Sequence, residues 1–429
     1  MVASPVSPQT THRTVLKNGI TLIVTENPVA DLVAARLFFP QAGGRWESLD
    51  QAGLFHLLAA VITKGTDRYS AVEIAEQIES IGASLGASAS NDYVALSLKT
   101  VTKDFYTIFK LAAEILREPT FPPEEVELER KITLQNIRSQ MEQPFNVAYD
   151  LLRSQMYPQH PYGQSILGTA ATVARFTAAD LRQAHQTHFR PDNLVISLSG
   201  RLTLEQAEAI VEQTLGDWQN PTTPLPTLEI APLQPQGGVW TKEKDSQQAI
   251  IILGYLTGTV ADDDFFVLKL LSTYLGNGLS SRLFVELREK QGLAYDVSAF
   301  FPTRLSQSQF ITYIGTAPQN TAIALNGLHQ EIQRLVAAPL TEADLQIAKN
   351  KLLGQYALGK QTNAELAQIF GWYESIGLGI DFDQAFQHHI EKITTAETHQ
   401  AAQRHFQHPY VSVVGSQAAL SLIEDLQLS

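Results

Sequence analysis

The sequence has no cysteine and only three methionines among its 429 residues. Without a thiol there is no disulfide framework, no Cys-ligated zinc, no iron–sulfur cluster and no thiol nucleophile. Basic residues are in the minority, 31 against 44 acidic, for a formal charge of -13. That balance repels phosphate, so a general binder of nucleic acid or anionic membrane is not expected, whereas basic peptides would be tolerated. No run reaches the about 18 consecutive apolar residues of a membrane-spanning helix. The opening MVASPVSPQTTHRTVLKNG lacks the apolar core of a secretory leader and reads as a short tail before a first strand, so a cytoplasmic protein is expected. Proline and glycine are present in ordinary proportions, and the length suits two or three domains, each with its own core.

The sharpest shift in composition is NPTTPLPTLEIAPLQPQGG, residues 220–238, where Pro221, Pro224, Pro226, Pro232 and Pro235 fall together. Proline fixes φ and removes backbone donors, so this stretch is expected to be an extended, semi-rigid linker between domains 1–219 and 239–429. The two halves repeat an order of elements. Leu54, Leu57, Leu58 and Val61 mark a helix closed by Gly65, and Ala71, Ile74, Ala75, Ile78 and Ile81 mark a second that stops at Gly82. A half-buried strand follows over Tyr93 to Leu98. In the second half, Asp262 or Asp263 caps a helix carrying Leu268, Leu271 and Leu275 and ending at Gly276. Ser280, Leu283, Phe284 and Leu287 line the next, which stops at Gly292 before a strand from Leu293. The matching glycines are offset by 211 and 210 residues, and EILREPTFPPEEVELERK (114–131) has an echo in EIQRLVAAPLTEADLQIAK (331–349). Order, spacing and terminators together point to an internal duplication.

The stretch QAGLFHLLAAVITKGT, residues 51–66, resembles the pitrilysin/insulinase family of zinc peptidases, in which G-x-x-H-x-x-E-H-x-x-x-x-G-T occupies one helix. Two His at i and i+4 share a face and ligate zinc, and the Glu between them activates the bound water. The resemblance keeps the frame and loses the chemistry. His56 stands at the first ligand position, Ala59 where the general-base Glu belongs, and Ala60 where the second His belongs. The family's third ligand is a Glu seven residues after the Glu of an E-R pair; here the pair is Glu129-Arg130, and the position holds Asn136. One imidazole does not make the three-ligand set of a catalytic zinc, so no metal is expected in this chain. His56 then reads as a vestigial helix histidine and Glu129 as an ion-pair residue.

The segment LGNGLSSRLFVELREKQGLAYDVSAFF, residues 275–301, carries the strongest positive signal. It resembles the family's S-R-L-F-x-x-L-R-x-x-x-G-L-x-Y context, with Arg288 and Tyr295 as the Arg/Tyr pair and Ser281, Arg282, Leu283, Phe284, Gly292 and Leu293 as its frame. The resemblance implies that the pair reaches the zinc site of the other half-molecule and donates hydrogen bonds to the oxygen that becomes negative during peptide hydrolysis. Taken singly, Arg288 reads as a salt-bridge partner of Glu286 or Glu289, and Tyr295 as a strand aromatic. His388, His389, His399, His405 and His408 crowd the C-terminal region in a spacing that matches no ligand motif, and HPYG (160–163) and FRPDN (189–193) read as structural turns.

Extending from KNGITLIV (17–24) to PYVSVVGS (409–416), the resemblance implies an α+β fold. It consists of two homologous domains, each a mainly antiparallel sheet packed with helices, in a clam-shell dimer. The expected role is the non-catalytic subunit of a heterodimeric zinc endopeptidase. The expected partner is a homologous chain with an intact H-x-x-E-H motif that supplies the zinc, and the expected substrates are peptides. The rival expectation is a homodimeric scaffold or peptide-binding protein of the same fold that hydrolyses nothing.

Overall fold

The computed structural model describes residues 10–423. Along the chain come β1 (Thr11–Val15), β2 (Thr21–Glu26), β3 (Leu32–Phe39), α1 (Leu54–Val61), α2 (Ala71–Glu79), β4 (Ser84–Ala89), β5 (Val94–Val101) and α3 (Phe105–Arg117). They are followed by α4 (Pro123–Glu142), α5 (Pro144–Met156), α6 (Ala170–Val173), α7 (Ala178–His188), β6 (Val195–Gly200) and α8 (Leu204–Leu215). The second half contains β7 (Gly238–Glu243), β8 (Ala249–Leu256), α9 (Phe265–Gly276), a π-helical segment (Phe284–Lys290), β9 (Asp296–Phe300) and β10 (Gln309–Thr316). It closes with α10 (Thr321–Ala337), α11 (Glu342–Leu358), α12 (Asn363–Ser375), α13 (Phe382–Lys392), α14 (Thr395–His405), β11 (Tyr410–Gly415) and α15 (Gln417–Leu420).

These elements form two units, each drawn from three stretches of chain. The first takes the residues up to 135, 165–228 and 358–383; the second takes 136–164, 229–357 and the residues from 384 on. In the first unit a six-stranded sheet has the order β1-β2-β6-β3-β5-β4. Its β2 and β6 pair in parallel, and the other neighbours are antiparallel. In the second, five strands run β7-β11-β8-β10-β9, with β7 and β11 parallel and the rest antiparallel. With β1 set aside, the two orders match strand for strand and the parallel contact falls in the same place. This is the expected α+β fold of two homologous domains, each a mainly antiparallel sheet with helices against it.

Helix α12 lies on β3, β6 and β2 of the first sheet, and α5 lies on β11 and β8 of the second. Each sheet is thus covered by a helix taken from the opposite half of the sequence. The central strands β6 and β11 are buried along their whole length, as strands covered on both faces must be. Local chemistry explains the helix starts: reciprocal Ser/Thr capping boxes open α2, α7, α8, α12 and α14. Between α8 and β7, residues 221–237 form neither helix nor strand, as proline at those positions dictates.

Several local expectations shift. Helix α1 ends four residues before Gly65, which instead sits in a bridge to Ser70. Helix α2 ends at Glu79, and Gly82 at φ 66° closes it, with the N–H of Ala83 donating to the Ile78 carbonyl. The N-cap of α9 is Asp264 rather than Asp262 or Asp263, because the Asp262 carboxylate accepts from the Thr259 N–H in the preceding turn. The helix over Phe284–Lys290 is π rather than α, and β9 begins at Asp296, three residues after Leu293.

Candidate functional site

Helix α1 is built from LFHLLAAV, and Leu54, Phe55, Leu57, Leu58, Ala59 and Val61 are all buried. Its entry lacks a conventional side-chain cap: Gly53 is at φ 92°, and a Cβ there would meet the Leu167 carbonyl at 2.6 Å, so only glycine fits. Glu47 takes over the capping role from six residues upstream. Its carboxylate accepts the N–H of Gly53 at 2.9 Å and of Phe55 at 2.7 Å, two of the donors that the first turn leaves open. Burial pushes this carboxyl up to about 7, against the pull of those hydrogen bonds.

His56 projects from this helix half-buried, and desolvation lowers its pKa while the nearby Glu129 carboxylate works against that shift. Glu129, on α4, is ion-paired to Lys64 at 3.0 Å, which matches its expected structural role. The structure therefore brings His56, Lys64 and Glu129 into one neighbourhood. Position 60, one helical turn from His56 on the same face, offers only a methyl group, and Ala59 is 3% exposed. Asn136 is exposed, seven residues beyond Glu129 on α4. A zinc ion does not fit this set: one neutral imidazole and one carboxylate already held by an ammonium fall short of the three ligands it needs. Among the described residues, no group of three or more His, Asp or Glu side chains is placed to hold a metal ion.

Arg288 and Tyr295 lie in the second unit on either side of Gly292. That glycine adopts φ 65°, and the N–H groups of Gly292 and Leu293 turn back to the carbonyls of Arg288 and Leu287. The backward reach is one residue wider than at Gly82, as the π-helical winding requires. The guanidinium of Arg288 lies 4.9 Å from the centroid of the Phe284 ring. Among the described residues no carboxylate pairs with it, because Glu286 is taken by Arg282 at 2.6 Å and Lys290 at 2.9 Å. The salt bridge to Glu286 or Glu289 that a single-residue reading suggests is therefore not formed. Arg282 is fixed in turn by Glu331 at 2.7 Å, which anchors the segment to α10. Tyr295 donates its backbone N–H to Gly315 at 2.9 Å, extending the β9–β10 ladder, while its side chain is 57% exposed.

Three of the five C-terminal histidines have hydrogen-bonding partners. His399 is 2.9 Å from the Val336 carbonyl, His405 is 2.8 Å from Asp264, and His389 is 2.6 Å from the Ala385 carbonyl. The His160 ring accepts the Tyr162 N–H within HPYG, and buried Arg190 grips Asp192 within FRPDN, both in turns. Nothing in the sequence pattern marks Lys64 or Glu47. A capping carboxylate six residues ahead of the N-cap has no characteristic spacing, and Lys64 acquires meaning only when α4 brings Glu129 to it.

The insulinase (peptidase family M16) model matches residues 21–170, and the peptidase M16 inactive domain matches residues 175–352. An uncharacterized zinc protease, YmxG, of Bacillus subtilis is 27% identical over 355 residues, covering 82% of this chain and 85% of that protein. An uncharacterized zinc protease of Mycobacterium tuberculosis is 25% identical over 419 residues, covering 96% and 94%. Among solved structures, a peptidase M16 inactive domain from Pseudomonas fluorescens superposes with a TM-score of 0.89 at 24% identity, covering 95% of this chain and 98% of that one. A protease from Helicobacter pylori does so with a TM-score of 0.88 at 19% identity, covering 95% and 99%. With both halves matched by models of one family and the duplicated fold in common, this chain belongs to the insulinase-type M16 peptidase family.

Proposed function

We propose that this chain is the non-catalytic subunit of a heterodimeric zinc endopeptidase. Its partner is a homologous chain with an intact H-x-x-E-H motif, which holds the zinc that activates the attacking water. This chain contributes Arg288 and Tyr295, which orient the peptide and donate hydrogen bonds to the scissile carbonyl oxygen as it gains charge. The observation that carries the reading is the contrast between the two halves. Arg288 and Tyr295 are exposed, and among the described residues no carboxylate pairs with Arg288, whose guanidinium rests on the Phe284 ring, while the position of the metal motif retains a single imidazole. The kinship with proteins named as zinc proteases supports the reaction class, and the net charge of -13 suits basic peptides.

The test mixes the purified chain with an intact-motif homologue and follows cleavage of a basic peptide library. Activity should appear only in the mixture, and Arg288→Ala should lower it by about 10²–10³-fold without preventing assembly. Full activity of that variant refutes the role of the pair. A stable dimer that cleaves nothing refutes the proposal and favours the scaffold.

A further inference from the structure

Strand β3 reads LVAARLFF, and Arg36 is its one charged residue. The strand is central in its sheet, with β6 on one side and β5 on the other. In register beside Arg36 stand Ser97 and Ser197, two short neutral side chains, and Gly371 of α12 packs against Ser197. The Ser197 hydroxyl is fully buried and has no hydrogen-bond partner. A half-buried cation in the middle of an apolar strand is costly unless an anion answers it. Among the described residues, no carboxylate pairs with Arg36. Its Nε donates to Gln368 Oε1 at 3.1 Å and its Nη1 to the Ala35 carbonyl at 3.3 Å. Gln368 is itself fixed, because its amide nitrogen donates to the Tyr93 hydroxyl at 3.4 Å. The guanidinium is thus oriented by neutral groups, and the rest of its donor fork is unspent.

Arg36 lines an open pocket of about 320 Å³ whose other walls include Ala364, Ile369 and Trp372. Glu365 also borders the pocket, but one of its carboxylate oxygens accepts from Gln361 and twice from Thr362, which holds it at the start of α12. Mainly apolar walls around an oriented cation, with the bordering carboxylate of Glu365 turned to its own helix start, have the composition of a site for an anionic ligand with an apolar body. We propose that Arg36 binds the carboxylate of such a ligand, with Trp372 and Ile369 receiving its aromatic or branched aliphatic group. Two sources share this chemistry, a small organic acid and the C-terminus of a peptide ending in an apolar residue. The site belongs to the first unit and does not depend on the subunit role proposed above.

Calorimetric titration of the full chain would use three probes: 3-phenylpropionate, N-acetyl-glycyl-phenylalanine as the free acid, and the same dipeptide as its C-terminal amide. The acids should bind at least about tenfold more tightly than the amide, and Arg36→Met should remove that advantage while Arg36→Lys keeps part of it. Tighter binding of phenylpropionate identifies a small acid as the natural class, and tighter binding of the dipeptide acid identifies a peptide terminus. Equal affinity for acid and amide, an unchanged Arg36→Met titration, or no binding of either acid up to about 10 mM overturns the proposal. Should Arg36→Met fail to fold, the comparison of acid with amide on the unaltered chain decides by itself.

Discussion

Two buried groups in the first unit titrate with opposite signs, and their cancellation is testable. Glu47 caps α1, and its carboxyl is pushed from 4.5 up to about 7 by burial. His185 on α7 is 2.8 Å from the Leu116 carbonyl at the end of α3, and burial pushes it from 6.5 down to about 4. Between those unfolded values, His185 is protonated only in the unfolded chain, so its contribution to stability rises by ~1.4 kcal/mol per pH unit. Glu47 over the same window is protonated only in the folded chain, so its contribution falls at the same rate. Each shift integrates to about 3 kcal/mol, and the two slopes offset one another. Urea unfolding followed by tryptophan fluorescence, repeated between about pH 4.5 and 6.5, reads the difference. Glu47→Gln keeps an acceptor for one α1 donor and removes the titration, so its stability relative to the parent should rise with pH by about 3 kcal/mol across the window. His185→Gln keeps a donor toward Leu116 and should show the reverse. Difference curves that are flat with pH for both variants would refute the assignment of these shifts.

Two further outcomes follow from the backbone frame of the degenerate motif. The combination Ala59→Glu, Ala60→His and Asn136→Glu returns the missing donors to α1 and α4 and should give a chain that retains about one zinc on elemental analysis. At a zinc concentration about 100 times its dissociation constant, that chain should gain ~2.7 kcal/mol of stability; a chain without zinc shows that the frame has drifted. Gly292→Ala should cost about 1 kcal/mol in thermal or urea unfolding, because φ is 65° but a Cβ there meets nothing within 4 Å. Gly53→Ala should cost about 3 kcal/mol, because its Cβ would also strike the Leu167 carbonyl. Equal costs would mean that the close approach at Gly53 relaxes without penalty.

What could be read from the sequence was whatever depends on neighbours along the chain. The apolar spacing of Leu54, Leu57, Leu58 and Val61 makes α1 a helix wherever it packs, and glycine at 82 and 292 ends each turn because only glycine adopts positive φ cheaply. The duplication followed from the same local grammar, and the identities of His56, Ala59, Ala60, Arg288 and Tyr295 stood in the motifs themselves. Tertiary structure decided what depends on residues far apart in sequence. The exchange of α5 and α12 between sheets leaves no periodic trace, since a helix's pattern says that one face is buried but not against which sheet. The π winding over FVELREK has no marker in the sequence pattern, and the Arg282–Glu331 anchor beside it joins residues 49 positions apart. Lys64 meets Glu129, Glu47 reaches the first turn of α1, and Arg36 has no counter-charge among the described residues only because the folded chain places partners close or keeps them away. Electrostatic and hydrogen-bond energies depend on distance in space, which the order of residues alone does not set.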